Sequence, residues 1–232
     1  MKISRLLGGC ALLLVVGFTA RARAQTPESA EAPTVGDQGH WSLSLERAFG
    51  LDYVRATASP AGGTETTSSF TTLSLFGNPP VAALAGFTFP RLAFDASVAP
   101  GFTVGAALGL GYGTETQSGA STSFVSVVAA PRVGYVARLS PSIAVWPRVG
   151  VSVFYASITP ATGGSESLSL FAATIDAPFI ITVAPRVAVT FGPTLDVTFS
   201  GSAKADLGAY GAGSADAHLL EIGAQAGLVV TL

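Results

Sequence analysis

The chain has 232 residues, of which 49% are hydrophobic and only 11% are charged, against roughly 25% charged residues in ordinary soluble domains. It contains 27 glycines and has a formal net charge of -2. So few long charged side chains argue against helical bundles, coiled coils and α/β enzymes. Intrinsic disorder is also disfavoured, because the apolar content is too high and the net charge too small.

The first 24 residues have the pattern of a secretory signal peptide. Lys2 and Arg5 precede a short apolar run over residues 11–20, and residues 22–24 (Ala-Arg-Ala) supply a small-x-small cleavage pattern. The run is too short to cross a bilayer as a helix. We therefore predict that residues 1–24 direct export and are removed.

The single cysteine, Cys10, lies inside this leader. Residues 7–10 resemble a lipobox, so lipoprotein processing is the alternative, although the apolar run follows the cysteine instead of preceding it. The mature chain then has no cysteine and must fold without disulfides. It keeps eight of the 12 basic residues and all 14 acidic ones, a net charge of -6 that argues against nucleic-acid binding. Residues 25–39, rich in Pro, Glu, Ala and Gly, are predicted to be a flexible lead-in to a single domain over 40–232.

From Trp41 onward the hydrophobic pattern has period two, which is typical of β-strands. The clearest strand is the last one, whose apolar face comprises Leu220, Ile222, Ala224, Ala226, Leu228, Val230 and Leu232. The opposite face of each strand carries mostly Gly, Ala, Ser and Thr, whereas a soluble sandwich would carry charged residues there. Small inward and apolar outward residues predict a narrow barrel that faces lipid. A soluble β fold is the alternative.

Turns and loops set the strand count. Three connections are short and centred on Pro100, Pro141 and Pro185, and four are long and rich in Gly, Ser and Thr. This alternation predicts an antiparallel up-and-down transmembrane β-barrel of eight strands. The predicted strands lie near residues 41–55, 89–98, 102–112, 124–139, 143–157, 168–183, 187–200 and 218–232.

Two features fit this arrangement poorly. Residues 70–76 have a strand pattern, but prolines follow closely, so we interpret 57–88 as an enlarged first loop, with a ten-strand barrel as the fallback. Four prolines also lie inside predicted strands, where each removes a ladder hydrogen bond, and bulges are the expected explanation. These prolines are Pro131, Pro147, Pro178 and Pro193.

Charged residues on the small-residue face are predicted to form one belt across the barrel interior. The set comprises Glu46, Asp52, Arg91, Asp95, Arg132, Arg148, Asp176, Asp196 and Glu221. An unpaired charge in a narrow lumen is costly, whereas paired charges can be accommodated. We predict a salt-bridge network that closes the lumen, with Arg148 pairing with Asp176; a narrow gate for ions is the alternative. Eight strands leave no room for an open porin channel.

With these features the chain resembles the small eight-stranded outer-membrane barrels of Gram-negative bacteria, such as the OmpA membrane domain and OmpX. The resemblance covers about residues 41–232 and rests on the leader, the alternation and the turns, not on a functional motif. It implies location in the outer membrane, contact with its lipids and assembly by the barrel-assembly machinery. The implied assembly signal is Leu228, Val230 and Leu232; the family usually ends in Phe, and Leu232 departs from this.

Residues for chemistry are few. His40 and His218 are the only histidines and lie far apart in the predicted topology, so we predict no catalytic, metal or cofactor site. The predicted function is that of a monomeric outer-membrane protein with a structural or surface-interaction role, with an extracellular ligand of the long loops left open. A small gated channel for ions or solutes is the alternative, and a lipid-modifying enzyme is the third candidate.

Overall fold

The computed structural model describes residues 34–75, 87–117, 120–161, 163–206 and 212–232. The predicted signal peptide and the first part of the lead-in lie outside these residues. The described residues form twelve strands: β1 (Trp41–Pro60), β2 (Thr66–Leu75), β3 (Arg91–Ala99), β4 (Phe102–Gln117), β5 (Ala120–Tyr135), β6 (Ala137–Arg138), β7 (Ile143–Val145), β8 (Arg148–Thr159), β9 (Ser165–Asp176), β10 (Phe179–Ala184), β11 (Val187–Asp206) and β12 (Ala212–Thr231).

These strands make a closed barrel with eight staves, where a stave is the strand, or the two strands end to end, at one position around the barrel wall. Four staves consist of one continuous strand (β1, β4, β11 and β12), and four are interrupted (β2 with β3, β5 with β6, β7 with β8, and β9 with β10). Every described pairing is antiparallel, and β12 pairs with both β11 and β1, which closes the ring. The predicted fold class and strand number are confirmed.

The outer face of the barrel is apolar and the inner face carries the polar groups. Large hydrophobic side chains such as Leu92, Leu108 and Leu110 are 61–80% exposed. Asp52, Asp196 and Glu221 are fully buried. This arrangement is the reverse of that in a soluble protein, and it suits a barrel whose outer face contacts lipid. The described part of the chain contains no helix long and apolar enough to span a bilayer.

The interpretation of residues 57–88 as a loop is wrong for residues 57–60, which continue β1, and for residues 66–75. Residues 66–75 form β2, which pairs with β1 from Phe49 to Ala58, while β3 pairs with β1 from Trp41 to Glu46. Because β2 and β3 lie end to end along the same neighbour, they add one stave, not two. The fallback of ten strands is therefore wrong as well.

The prolines within predicted strands have two different outcomes. Pro147 and Pro178 lie at breaks, between β7 and β8 and between β9 and β10. Pro131 and Pro193 lie within β5 and β11, and the register there continues without a shift. The explanation by bulges is wrong for these two residues, since a proline within a strand removes only one hydrogen-bond donor.

The two ends of the barrel differ, and we name them by their connections. The turn end has the short turns at 100–101, 139–142 and 185–186 together with Leu232. The loop end has the connections at 61–65, 160–161 and 163–164. Strands at the loop end run further than predicted, β11 to Asp206 for example. Much of each predicted long loop therefore belongs to the paired strands of a β-hairpin.

Residues 34–40, which we call the N-terminal cap, close the mouth at the turn end. Val35 is 6% exposed and packs with Val136, Trp146, Ile180 and others. The Gly36 carbonyl accepts a hydrogen bond from the Gly101 amide at 2.9 Å. Residues 34–39 of the predicted lead-in therefore have defined contacts with the barrel, while its residues 25–33 lie outside the described residues.

Candidate functional site: the barrel lumen

A bulge in β1 brings a charged residue into the lumen that strict alternation would place in lipid. Between Leu45 and Phe49 the chain advances four residues while β12 advances two. Glu46, Arg47 and Ala48 are consequently all buried, and Arg47 has a φ of 53°, in the left-handed region. The bulge keeps the outward phase of the apolar residues on both sides of it.

The first cluster of charges is centred on Glu46. Arg132 binds both carboxylate oxygens of Glu46, at 2.6 and 2.8 Å, and both oxygens of Asp95, at 3.0 and 2.5 Å. Arg148 donates to Glu46 through Nη1 and to Asp176 through Nε. Each guanidinium thus uses its planar fork to join two carboxylates from different strands.

Trp146 supports this cluster from the side of the turn end. Its ring is fully buried, and the guanidinium carbon of Arg148 lies 4.4 Å from a ring centroid. The indole Nε1 donates to Thr103 Oγ1 at 3.0 Å, so the ring plane is fixed by β4. A cation over an indole face is favourable in a desolvated site.

The second cluster is built around Arg47. Its Nη2 lies 2.8 Å from Asp196 Oδ2 and 3.1 Å from Thr194 Oγ1, and its Nη1 lies 3.2 Å from Glu221 Oε1. Asp196 also accepts from Thr174 Oγ1 at 2.5 Å. This cluster ties β1 to β11, β12 and β9.

Residues 87–89, just before β3, lie inside the barrel above the charges. Phe87 and Thr88 are at most 1% exposed. The Phe87 carbonyl accepts from Arg91 Nη2 at 2.9 Å and from Arg47 Nη1. The Phe87 ring packs on Phe154, with ring centroids 5.8 Å apart. These aromatic rings form an apolar floor between the charges and the loop end.

Two cavities show how the lumen is filled. Among the charges a cavity of about 40 Å³ remains, lined by Glu46, Arg47 and Arg132 among others, with room for about three water molecules. A second cavity, of about 500 Å³, opens toward the loop end and shares Ala156, Leu170, Ala217 and Leu219 with the apolar cluster that contains Phe87 and Phe154; we call it the vestibule. Its wall includes Ala56, Ala156, Leu168, Leu170, Ala217 and Leu219.

All nine charged residues that the sequence assigned to the interior lie inside, but they form two clusters instead of one belt. Glu46, Asp95, Arg132, Arg148 and Asp176 make up the first, and Asp196 and Glu221 join Arg47 in the second. Asp52 instead accepts a hydrogen bond from Gln225 at 2.9 Å. Arg91 makes its contact with the Phe87 carbonyl, not with a carboxylate.

Sequence reasoning missed Arg47. Alternation from Leu43 and Leu45 to Phe49 and Leu51 assigns position 47 to the lipid face. An arginine in the middle of a lipid-facing row is costly, and this conflict was the signal from which a bulge could have been inferred.

Two residues of the predicted assembly signal, Leu228 and Val230, lie on the outer face of the closing strand β12, and Leu232 directly follows that strand. Leu228, Val230 and Leu232 are 48%, 38% and 55% exposed. The Leu232 amide donates to the Trp41 carbonyl at 2.7 Å. The chain terminus is therefore hydrogen-bonded to the first strand.

The described residues hold no group of three or more His, Cys, Asp or Glu side chains suited to bind a metal ion. The histidines lie at opposite ends. His40 Nδ1 is 3.2 Å from the Leu232 carbonyl at the turn end, and His218 is opposite Thr57, near the loop end.

Comparison with known proteins gives matches in structure alone. No protein-family model matches the chain, and no curated protein matches it by sequence. The outer membrane protein OprG from Pseudomonas aeruginosa matches with 11% identity and a TM-score of 0.51, over 85% of this chain and 98% of that one. The chain therefore shares its fold with a bacterial outer-membrane barrel.

Two further structures match at lower TM-scores. Ail, the attachment invasion locus protein of Yersinia pestis, has 13% identity and a TM-score of 0.38, over 83% of this chain and 99% of that one. The outer membrane protease OmpT from Escherichia coli has 9% identity and a TM-score of 0.47, over 85% and 98%.

Proposed function

We propose that this chain is a monomeric bacterial outer-membrane protein whose lumen is closed and whose role is structural or in surface interaction. The supporting observation is that three different obstructions follow one another along the barrel axis. These are the N-terminal cap with Val35, the two charge clusters, and the floor formed by Phe87 and Phe154. A solute would have to displace all three to cross.

The charge clusters also suit a structural role, in which they hold the strands of the barrel together. Their ion pairs join seven of the eight staves, since Arg132 links β5 to β1 and β3, Arg148 links β8 to β1 and β9, and Arg47 links β1 to β11 and β12. Removal of one partner of a buried charge pair strongly destabilises a protein. These pairs therefore favour the one strand register that brings both partners together. With the lumen occupied in this way, the loop-end hairpins are the surface left for interaction with other molecules.

Single-channel recording tests this function. The refolded barrel, inserted in a planar bilayer, should show no conductance steps, and its insertion is checked on the same preparation by heat-modifiable migration on a gel. Reproducible steps would contradict the closed lumen.

A gated channel is the second candidate, and one observation favours it. Asp52 Oδ2, Glu221 Oε2 and Arg91 Nε are buried and have no hydrogen-bond partner among the described residues. A lumen with unsatisfied buried polar groups has less to lose on rearrangement than one in which every such group is paired. Steps that appear only above a threshold voltage would support this candidate.

A further inference from the structure

The inward-facing side chains in the loop-end half of the lumen are apolar, which is unusual for a barrel filled only with water. In membrane barrels the inward positions are normally polar, because water fills the space that side chains leave. Here Val54, Phe154, Leu170 and Leu219 point inward and are at most 4% exposed, and they form one apolar cluster with Phe87. The turn-end half of the same barrel places its charges inward, so the change in polarity occurs along the axis.

The vestibule above this cluster has the size and lining of a small-molecule site. Its volume of about 500 Å³ lies within the roughly 300–1,000 Å³ that is usual for ligand pockets, which are mostly apolar with a few polar groups. The charged residue on its inner face is Glu166, which shares that face of β9 with Leu168 and Leu170 near the loop end, whereas Lys204 pairs with Ser167 on the outer face. Apolar cavities hold water poorly and readily take up apolar molecules.

We propose that the vestibule binds a small molecule with an uncharged apolar body, of the class of a single alkyl chain. The surrounding staves exclude a folded protein partner. The apolar cluster of Phe87 and Phe154 with its Val, Ala and Leu neighbours offers no side chain that could neutralise a charge or bind a hydroxyl group, which disfavours an anion or a sugar as the deep part of the ligand. A polar end group of the ligand would lie near Glu166.

This inference goes beyond the proposed function and has a separate test. If the barrel conducts, the vestibule can still bind such a ligand. If the barrel does not conduct, the vestibule can still contain water and no ligand. The experiment uses the full-length mature chain in nanodiscs of deuterated lipid, with protonated leucine methyl groups and decan-1-ol as the probe. Nuclear Overhauser contacts then report which methyl groups the alkyl chain touches.

Chain protons of decan-1-ol should contact the methyl groups of Leu170 and Leu219, and the contacts should saturate as the alcohol is added. Leu108, on the lipid face, serves as the reference for alcohol dissolved in the bilayer. Contacts with Leu108 alone, or contacts of Leu170 and Leu219 with water instead of the probe, would overturn the proposal.

A matched pair of variants on β12 locates the site. Ala217→Phe places a ring in the vestibule and should abolish the contacts at Leu170, whereas Ala224→Phe adds the same ring opposite the outward-facing Leu51 and should preserve them. Ala156→Leu provides a smaller obstruction if Ala217→Phe fails the heat-modifiable migration check. Contacts that persist in the folded, obstructed barrel would place the alcohol elsewhere and refute the site.

Discussion

Arg148 and Asp176 lie directly opposite each other on β8 and β9, and the Arg148 Nε donates to Asp176 Oδ1 at 2.5 Å. The same guanidinium reaches across the lumen to Glu46 on β1. The side chains are only 7% and 14% exposed. One arginine therefore joins a neighbouring strand and a distant one within a low-dielectric interior.

Removal of either partner of this pair should destabilise the barrel. Arg148→Leu leaves the Asp176 carboxylate without its cation, which costs about 3–5 kcal/mol in a fully enclosed site. Asp176→Leu should cost less, because Arg148 stays paired with Glu46. The double variant should recover much of the loss. Urea unfolding of the four proteins in detergent measures the coupling, and single effects that simply add would show that the two residues do not interact.

Arg47 should matter far more than an exposed arginine of the same barrel. Arg47→Leu leaves Asp196 and Glu221 buried without their cation, with an expected loss of about 3–5 kcal/mol in unfolding free energy. Arg138→Leu is the control, since Arg138 and Asp37 form a pair that is 51% and 37% exposed, and such pairs contribute about 0–1 kcal/mol. If the two variants unfolded at the same midpoint concentration of urea, this would argue that the cluster around Arg47 does not stabilise the barrel.

The orientation in the membrane can be tested on whole cells. A protease site inserted at Gly63 or Gly163, in the connections of the loop end, should be cleaved on intact cells. The same site at Pro141, in a turn of the other end, should be protected until the outer membrane is permeabilised. Cleavage at Pro141 in intact cells would mean that the barrel has the opposite orientation.

The last residue should influence assembly more than stability. Leu232 is 55% exposed on the outer face and its amide is bonded to Trp41 at the seam of the barrel. Leu232→Asp should lower the folded fraction in the outer membrane, because a charge enters the lipid-facing row. Leu232→Phe should preserve or raise that fraction. Heat-modifiable migration of membrane extracts gives the folded fraction, and unchanged yield after deletion of the last three residues would exclude a role in assembly.

The sequence by itself determined the class of the fold, the number of staves and the faces of the strands. Alternation is a local property of a β-strand, so Leu228 and Val230 indicate their outward direction without knowledge of their neighbours. Charged residues at inward positions, such as Arg132 and Asp176, were identifiable for the same reason. Burial in a narrow lumen also demanded partners for them.

Apart from the pair of Arg148 and Asp176, which the sequence predicted, only the tertiary structure decided which charges meet. The bulge at Arg47 depends on β12 advancing by two residues where β1 advances by four, and the fit of Phe87 beneath the vestibule depends on where β2 stops and β3 begins. Neither relationship is encoded in a local pattern, because each is a difference in register between strands that are distant in sequence. Period two fixes the direction of a side chain, whereas its height along the barrel, and therefore its partner, is fixed by strand pairing.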